Sequence, residues 1–369
     1  MAGGGHVLFI SIDCMRADCL REDITPEICK LGEKGTLYTS AYANGCGTPD
    51  SFPSLFASRH AKPFAGPEPF DPDLEYSLQP ADVTLAEVLA SASYETAAFV
   101  GGNPYLGEKY GYNRGFGLYK DHQPGALVDR ITGGRARGAL RKMAARLPWS
   151  PYASAQQVTD EAIRWLNSRG NQSSYFIWVH YMDAHFPTLP PSHLSLRERR
   201  AAWSPITGGA QRHHDLIVRL YKESLRFIDA EVGRLLSLVM ASTIVVVTAD
   251  HGQLLGEHSS YWHNGVWEQL LRVPLVIAGP EVGPGVVDET VQLLDLSPEL
   301  IKMLGLDAPE RWSGDQLRAT SEPIYAVSNC PVDRTYTEAL IGDRWKIIRT
   351  PENEWKYERE AEPPCMMLV

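Results

Sequence analysis

Thr243-Ile-Val-Val-Val-Thr-Ala-Asp-His-Gly-Gln-Leu-Leu-Gly-Glu-His258 is the stretch from which the fold is read. Its β-branched run, Ile244 to Val247, has no polar alternation, which is the pattern of a strand buried on both faces. The run leads directly into Asp250 and His251, at the carboxyl end of the strand, where open α/β sheets keep their active sites. Gly252 permits a sharp turn, and His258 and His263 follow within one loop's reach. A buried strand followed by a polar turn would account for Asp-His alone; a second strand of the same kind argues for a site.

That second strand is His6–Ile12, which ends on Asp13, with Arg16 and Asp18 just beyond. An aspartate after a strand commonly caps a helix, but a counterpart at Asp250 favours a metal ligand. A third buried strand, Tyr175–Tyr181, closes on Met182-Asp183-Ala184-His185 and so carries His180, Asp183 and His185 to the same kind of position. Two histidines and an aspartate at one strand end favour a site over a structural hydrogen-bonder. A fourth, Glu95–Val100, ends at Gly101-Gly102-Asn103.

Between these strands, apolar residues at helical spacing predict helices over Thr84–Leu89, Val158–Leu166, Leu216–Met240 and Ser297–Leu304, the last capped by Ser297 with Pro298 in its first turn. The expected fold is α/β, a large, mostly parallel mixed sheet between helices. Pro274 in the strand Arg272–Ala278 is expected to demote that strand to the sheet edge. Ile324–Val327 and Trp345–Ile348, separated by Thr335–Gly342, predict a small C-terminal α+β region spanning 311–369, part of the same fold as the catalytic domain 1–310. Residues 121–152, with Pro124, Gly133, Gly134, Pro148 and a cluster of arginines from Arg135 to Arg146, read as a mobile insertion without chemistry.

The segment Ala43–Ser58 places Thr48 among glycines and prolines at the mouth of a predicted helix. A hydroxyl there, near free amides and the positive helix end, suits a nucleophile facing an anion; a simple hydroxyl turn or cap is the alternative.

Composition narrows the function. In 369 residues with 44% apolar content, the chain can bury a large core. A net charge of -10 leaves no footprint for nucleic acid or an anionic membrane, so an anionic substrate must be held by a metal and local donors. Six cysteines without a Cys-x-x-Cys pair fit a reducing compartment. Val7–Ile12 is too short for a secretory leader, and no apolar run approaches the ~20 residues of a membrane span; a soluble cytoplasmic protein is expected.

Asp13, Thr48, Asp183 to His185, Asp250-His251, His258 and His263 give the sequence a resemblance to the sulfatases of the alkaline phosphatase superfamily. The similarity runs in order through Ile12-Asp-Cys-Met-Arg-Ala-Asp18, Tyr94-Glu-Thr-Ala-Ala-Phe99, Arg114-Gly-Phe116, His180-Tyr-Met-Asp-Ala-His185, Thr248-Ala-Asp-His-Gly252, Leu255-Gly-Glu-His258 and Arg272-Val-Pro-Leu275. The resemblance implies an alkaline phosphatase-like sheet and a small C-terminal antiparallel sheet carrying a helix. It also implies a divalent metal held by Asp13, Thr48, Asp250 and His251, with Thr48 as nucleophile and His185 and His263 at the substrate or leaving oxygen. Arg16, Asn103, His180, Asp183 and His258 would bind substrate or support the ligands, and His258 would serve a second metal if one binds.

The sequence departs from the formylglycine type, whose signature is Cys-x-Pro-x-Arg. Thr48-Pro49-Asp50-Ser51-Phe52 stands in its place, and Cys46 lacks the proline and arginine at the required offsets. A shifted alignment on Pro53 would put Ser51 at the nucleophile. An unmodified threonine resembles the phosphoglycerol transferases and phosphodiesterases of the superfamily. Imidazole from His251 favours manganese or zinc over calcium. The implied substrates are sulfate or phosphate esters of small molecules or glycans; a binding protein that has kept the fold is the reading from outside the enzymes.

Overall fold

The computed structural model describes residues 5–64, 71, 75–123, 150–169, 173–239, 241–318, 322–330, 335–350 and 355–358. Its strands are β1 (His6–Ile12), β2 (Thr36–Tyr42), β3 (Glu95–Val100), β4 (Leu118–Lys120), β5 (Tyr175–Tyr181), β6 (Thr243–Ala249), β7 (Arg272–Ala278), β8 (Gly285–Val287), β9 (Val291–Gln292), β10 (Ile324–Cys330), β11 (Thr335–Gly342), β12 (Trp345–Arg349) and β13 (Trp355–Glu358). The first nine form one sheet in the order β4-β3-β5-β1-β6-β7-β2-β8, with β9 also on β2. All neighbours pair in parallel except along the two sides of β7. Most of the stretch 121–152, residues 124–149, lies outside the described residues, as does the tail from 359.

The strands read as apolar runs, β1, β5 and β6, are buried at every residue. Helices cover both faces, as a mostly parallel sheet requires. Ala155–Ser168, His214–Leu236 and Pro26–Lys34 pack together in one layer, and Thr48–Ala57, Leu85–Ser91 and Leu296–Met303 in another. The long helix His214–Leu236 turns Ile217, Leu220, Tyr221, Leu225, Ile228, Val232 and Leu235 inward at intervals of three and four, as its apolar spacing predicts.

Two sequence expectations are corrected here. Strand β7 is interior, between β6 and β2. Its Pro274 is tolerated because β2 shifts register between Tyr38 and Ala41, opposite the proline, so no ladder bond is asked of the missing N–H. The Thr39 carbonyl freed by this bulge accepts Nε and Nη2 of Arg272 at 2.9 and 2.7 Å, and the Pro274 carbonyl accepts the Thr248 hydroxyl at 2.9 Å. The second concerns Ser297, which caps nothing. Its hydroxyl donates to the Leu55 carbonyl at 2.6 Å and ties Leu296–Met303 to the helix that starts at Thr48.

The C-terminal strands form a separate antiparallel sheet, β10-β11-β12-β13, in which Thr335–Gly342 is a central strand and not a spacer. Ile324, Ala326, Ala339, Ile341 and Ile348 of this sheet share a second apolar cluster with Tyr42, Cys46, Leu254 and Leu270, so it packs behind the loops at the carboxyl edge of the large sheet. Among the described residues no helix follows Met303, and none is long and apolar enough to cross a membrane.

The start of Pro26–Lys34 rests on Asp229, whose carboxylate accepts the amides of Glu27 and Ile28, each at 2.9 Å. Asp229→Ala strands both donors and should cost about 2 kcal/mol in urea unfolding. Burial, against the pull of the two amides, pushes this carboxyl up to about 6. An unfolded aspartate titrates near ~3.9. Between about pH 4 and pH 6 the folded chain therefore holds the extra proton, and stability falls as pH rises across that window. Asp229→Asn should flatten that slope.

Candidate active site

Parallel register brings the strand ends together. In β1, Ile12 pairs with Tyr181 of β5 on one side and Ala249 of β6 on the other, so Asp13 and Asp250 leave the sheet side by side. Val100 of β3 pairs with His180, which sets the Gly101–Asn103 turn beside them. Asp13, His180, Asp250 and His251 are fully buried.

Thr48, the first residue of its helix, is inserted between the two acids. Its Oγ1 lies 3.1 Å from Asp250 Oδ2 and 3.3 Å from Asp13 Oδ2. Asn103 Nδ2 donates to Asp13 Oδ2 at 2.8 Å and to Thr48 Oγ1 at 2.9 Å. The helix start contributes fewer anion donors than the sequence suggests, because Pro49 has no N–H and the amides of Asp50 and Ser51 already bond the Gly47 carbonyl. The loop before it is braced by the small sheet. Val327 of β10 exchanges backbone bonds with Asn44 and Cys46, and Asp50 accepts Asn329 N at 2.8 Å and Asn329 Nδ2 at 2.6 Å. Gly45 has no room for a side chain, since a Cβ would stand 2.3 Å from the Asp50 carbonyl, and Gly47 holds φ at 96°.

Each histidine is oriented by what its other nitrogen meets. His251 Nδ1 is 2.9 Å from the Gly252 carbonyl, an acceptor only, so its proton is assigned there and Nε2 presents a lone pair. Ser11 Oγ accepts Trp178 Nε1 at 2.9 Å and is left to donate to His180 Nδ1 at 2.8 Å, which assigns the His180 proton to Nε2, 3.6 Å from Asp13 Oδ2. His185 Nδ1 meets the Phe186 carbonyl at 2.7 Å and the Tyr152 hydroxyl at 3.0 Å. The Nε2 atoms of His185 and His263 face each other at 3.4 Å, with room for one shared proton, and the His263 ring lies 4.7 Å from that of His251.

The electrostatics follow from burying two carboxyls together. Burial drives Asp250 upward and the neighbouring Asp13 adds to it. Burial also opposes charge on Asp13, but His180, His185 and His251 outweigh it and hold this carboxyl below its ordinary range. His185 and His263 are lowered, chiefly by burial. Asp13 Oδ1 and His251 Nε2 are buried without a hydrogen bond, a costly state for groups of this polarity unless something cationic meets them. Three oxygen donors and one imidazole, from Asp13, Thr48, Asp250 and His251, are a donor set that suits a divalent cation.

Asp13, Thr48, Asn103, His180, His185, Asp250, His251 and His263 thus converge, whereas three other predicted residues do not join them. Arg16 is spent on Asp18, through Nε and Nη2 at 2.9 and 2.6 Å, and on Glu257 at 2.6 Å. It borders a separate groove of about 1280 Å³ lined also by Ile28, Leu37 and Arg272. Asp183 turns its carboxyl to the amide of Ala155 at a helix start, and burial pushes it up to about 7. His258 is exposed and stacks on Trp267 at 3.8 Å. The reading of 121–152 as a segment without chemistry is corrected at its two ends, where Tyr152 bonds His185 and Gln123 donates to the Asn103 carbonyl at 2.7 Å. No local pattern in the sequence marks either. Cys46 is buried with its thiol donating to the His263 carbonyl at 2.9 Å.

Comparison with known proteins bears on the family and the fold. The sulfatase family model matches residues 6–306. A sulfatase of Formosa agariphila is 35% identical over 157 residues, covering 40% of this chain and 31% of that protein. The choline-sulfatase of Rhizobium meliloti is 31% identical over 160 residues, covering 39% and 31%. The chain therefore spans about a third of the length of these curated relatives. Among solved structures, the phosphonate monoester hydrolase from Silicibacter pomeroyi superposes with a TM-score of 0.73 at 18% identity, covering 97% of this chain and 90% of that one.

Proposed function

Because the chain belongs to the sulfatase family, we propose that it is a metal-dependent hydrolase that cleaves sulfate or phosphate esters with Thr48 as nucleophile. The observation that carries this reading is the position of Thr48 Oγ1 within 3.3 Å of both Asp13 and Asp250, at the meeting point of four strand ends.

Asp13, Thr48, Asp250 and His251 would hold one divalent cation, with manganese or zinc favoured over calcium because one donor is imidazole. When bound there, such a cation lowers the pKa of the Thr48 hydroxyl and neutralises the non-bridging oxygens of the ester. The chain's own groups do the rest. Asn103 fixes the Thr48 hydroxyl through its 2.9 Å bond, and His180 Nε2, 3.6 Å from Asp13 Oδ2, favours the charge on Asp13 without a hydrogen bond. Thr48 Oγ forms a bond to sulfur or phosphorus as the ester bond to the alcohol breaks, its proton passing to the carboxylate pair. The proton between His185 and His263 goes to the departing oxygen, and Tyr152 fixes the His185 ring for that transfer. Water then releases the acid from Thr48. Passage of the covalent group to another alcohol, as in the phosphoglycerol transferases, uses the same residues and is favoured by the unmodified threonine. The substrates on this reading are small-molecule or glycan esters, drawn in locally despite the net charge of -10.

The test is purified protein loaded in turn with manganese, zinc and calcium and offered chromogenic sulfate, phosphate monoester, phosphodiester and phosphonate esters. Turnover of at least one class with manganese or zinc, and much less with calcium, is expected. Silence throughout, with no metal retained by elemental analysis, would overturn the reading in favour of a binding protein.

A further inference from the structure

Cys14 occupies an unusual place in the carboxyl edge. Its backbone is left-handed, with φ at 62°, a conformation that a non-glycine residue holds only when its surroundings insist. Both sides of the residue are fixed: its amide donates to Asp250 Oδ1 at 3.3 Å, and its carbonyl accepts the Tyr221 hydroxyl at 2.7 Å. The side chain so aimed comes together with two imidazoles, since the Cys14 sulfur and one ring nitrogen each from His185 and His263 all lie within 4.8 Å of one another. Because His185 Nδ1 already meets Phe186 and Tyr152, the nitrogen left for this group is Nε2, the atom that faces His263 Nε2 at 3.4 Å. Two imidazole nitrogens at that separation beside a thiol are mutually unfavourable unless a proton or a cation lies between them.

We propose that Cys14, His185 and His263 form a second metal site, a sulfur-and-two-nitrogen set for zinc or a similarly thiophilic divalent ion, adjacent to the Asp13–Thr48–Asp250–His251 site. Binding replaces the thiol proton by a sulfur–metal bond, and the proton on His263 Nε2 moves to Nδ1 of the same ring, so one proton leaves for each ion taken up. Three protein ligands leave one position of a tetrahedral site open, the pattern of a reactive rather than a purely structural zinc. Two rival combinations are also compact, Cys46 with His251 and His263 and Cys14 with Asp13 and His251; in the first the Cys46 thiol already donates to the His263 carbonyl, and in the second the Cys14 sulfur meets His251 at Nδ1, 3.9 Å away, the nitrogen already turned to the Gly252 carbonyl. The proposal rests on the preceding reading only for that first site. While His185 and His263 act as ligands they cannot act as the proton donor, so occupancy of this site should also change the pH profile of turnover.

Cobalt reports thiolate ligation directly, through a sulfur-to-metal charge-transfer band in the near ultraviolet. Metal-stripped wild-type protein titrated with cobalt(II) should take up two equivalents and develop this band. Asp250→Asn should lose one equivalent and keep the band, which separates a failure of the first site from a failure of this one. Cys14→Ser should lose the band and one equivalent, with its circular dichroism and melting followed to confirm folding; His185→Gln should lose the four-coordinate visible spectrum even if Cys14→Ser does not fold. Cys46→Ser, which keeps a hydroxyl donor for His263, should retain both ions and the band. A saturated wild-type protein without the band, or a band that disappears only in Cys46→Ser, would overturn the proposal.

Discussion

Thr48→Ala should lower turnover of the best ester by on the order of 10⁴-fold or more, the scale at which enzymes lose a covalent nucleophile, while the protein stays folded and still binds its metal. The geometry explains why the loss should be confined to chemistry. The Thr48 hydroxyl touches both carboxylates and Asn103, but Asn103 also bonds Asp13 at 2.8 Å without its help, so the acids keep their support when the hydroxyl is removed. Losing one buried hydroxyl with its bonds costs about 1 kcal/mol of stability, too little to unfold the chain. Thr48→Ser keeps the oxygen and should restore activity to within about tenfold of wild type, roughly the 1.4 kcal/mol that a less constrained rotamer can cost. Ser51, the other candidate seat, turns its hydroxyl to the Thr48 carbonyl at 3.4 Å and bonds neither acid. Full activity in Thr48→Ala, measured as kcat with metal content held equal, would remove Thr48 from the mechanism.

The large sheet and most of the site were legible because strand periodicity and strand ends carry both kinds of information. An unbroken apolar run predicts burial on two faces, and parallel pairing then forces the last residues of each run and those just past it to one edge; His180, Asp13 and Asp250 needed nothing else. Pro274 gives the wrong position for its strand because a missing N–H signals an edge only in an unbroken ladder, whereas a register shift in β2 removes the demand and Arg272 satisfies the carbonyl left over. His258 was misplaced for a different reason. It shares a loop with His263, but Arg16, Asp18 and Glu257 pin the start of that loop, and the left-handed turn at His258 and Ser259 sends the imidazole outward onto Trp267. Tyr152 and Gln123 were invisible because a side chain that reaches a site from a loop has neither period nor spacing to announce it.

Asp250→Asn should abolish the stabilisation that manganese gives through the Asp13–Asp250 site, and with it activity, while leaving the metal-free protein no less stable than wild type. The buried pair Asp13 and Asp250 sits in a conflict that a cation would resolve: burial and mutual repulsion disfavour a charge on Asp250 against the pull of His180 and the amides of His251 and Cys14, while the histidines and the Asn103 amide favour the charge on Asp13. An ion that binds the folded chain alone raises its stability by about 2.7 kcal/mol at one hundred times its dissociation constant, so manganese or zinc should lift the melting temperature of wild-type protein in proportion to the logarithm of its concentration. In Asp250→Asn one oxygen can still accept the amides of Cys14 and His251, which now bond Asp250 Oδ1 at 3.3 and 2.9 Å. The new amide nitrogen faces Thr48 and Asp13, where it donates instead of repelling. The repulsion is gone but so is the second charge that the cation needs, because a neutral amide oxygen is a far weaker partner for a divalent ion than a carboxylate. Thermal melts of both proteins across a metal titration decide the matter. A wild-type melting temperature that ignores manganese, or one that rises equally with manganese in Asp250→Asn, would mean that these acids do not hold a catalytic ion.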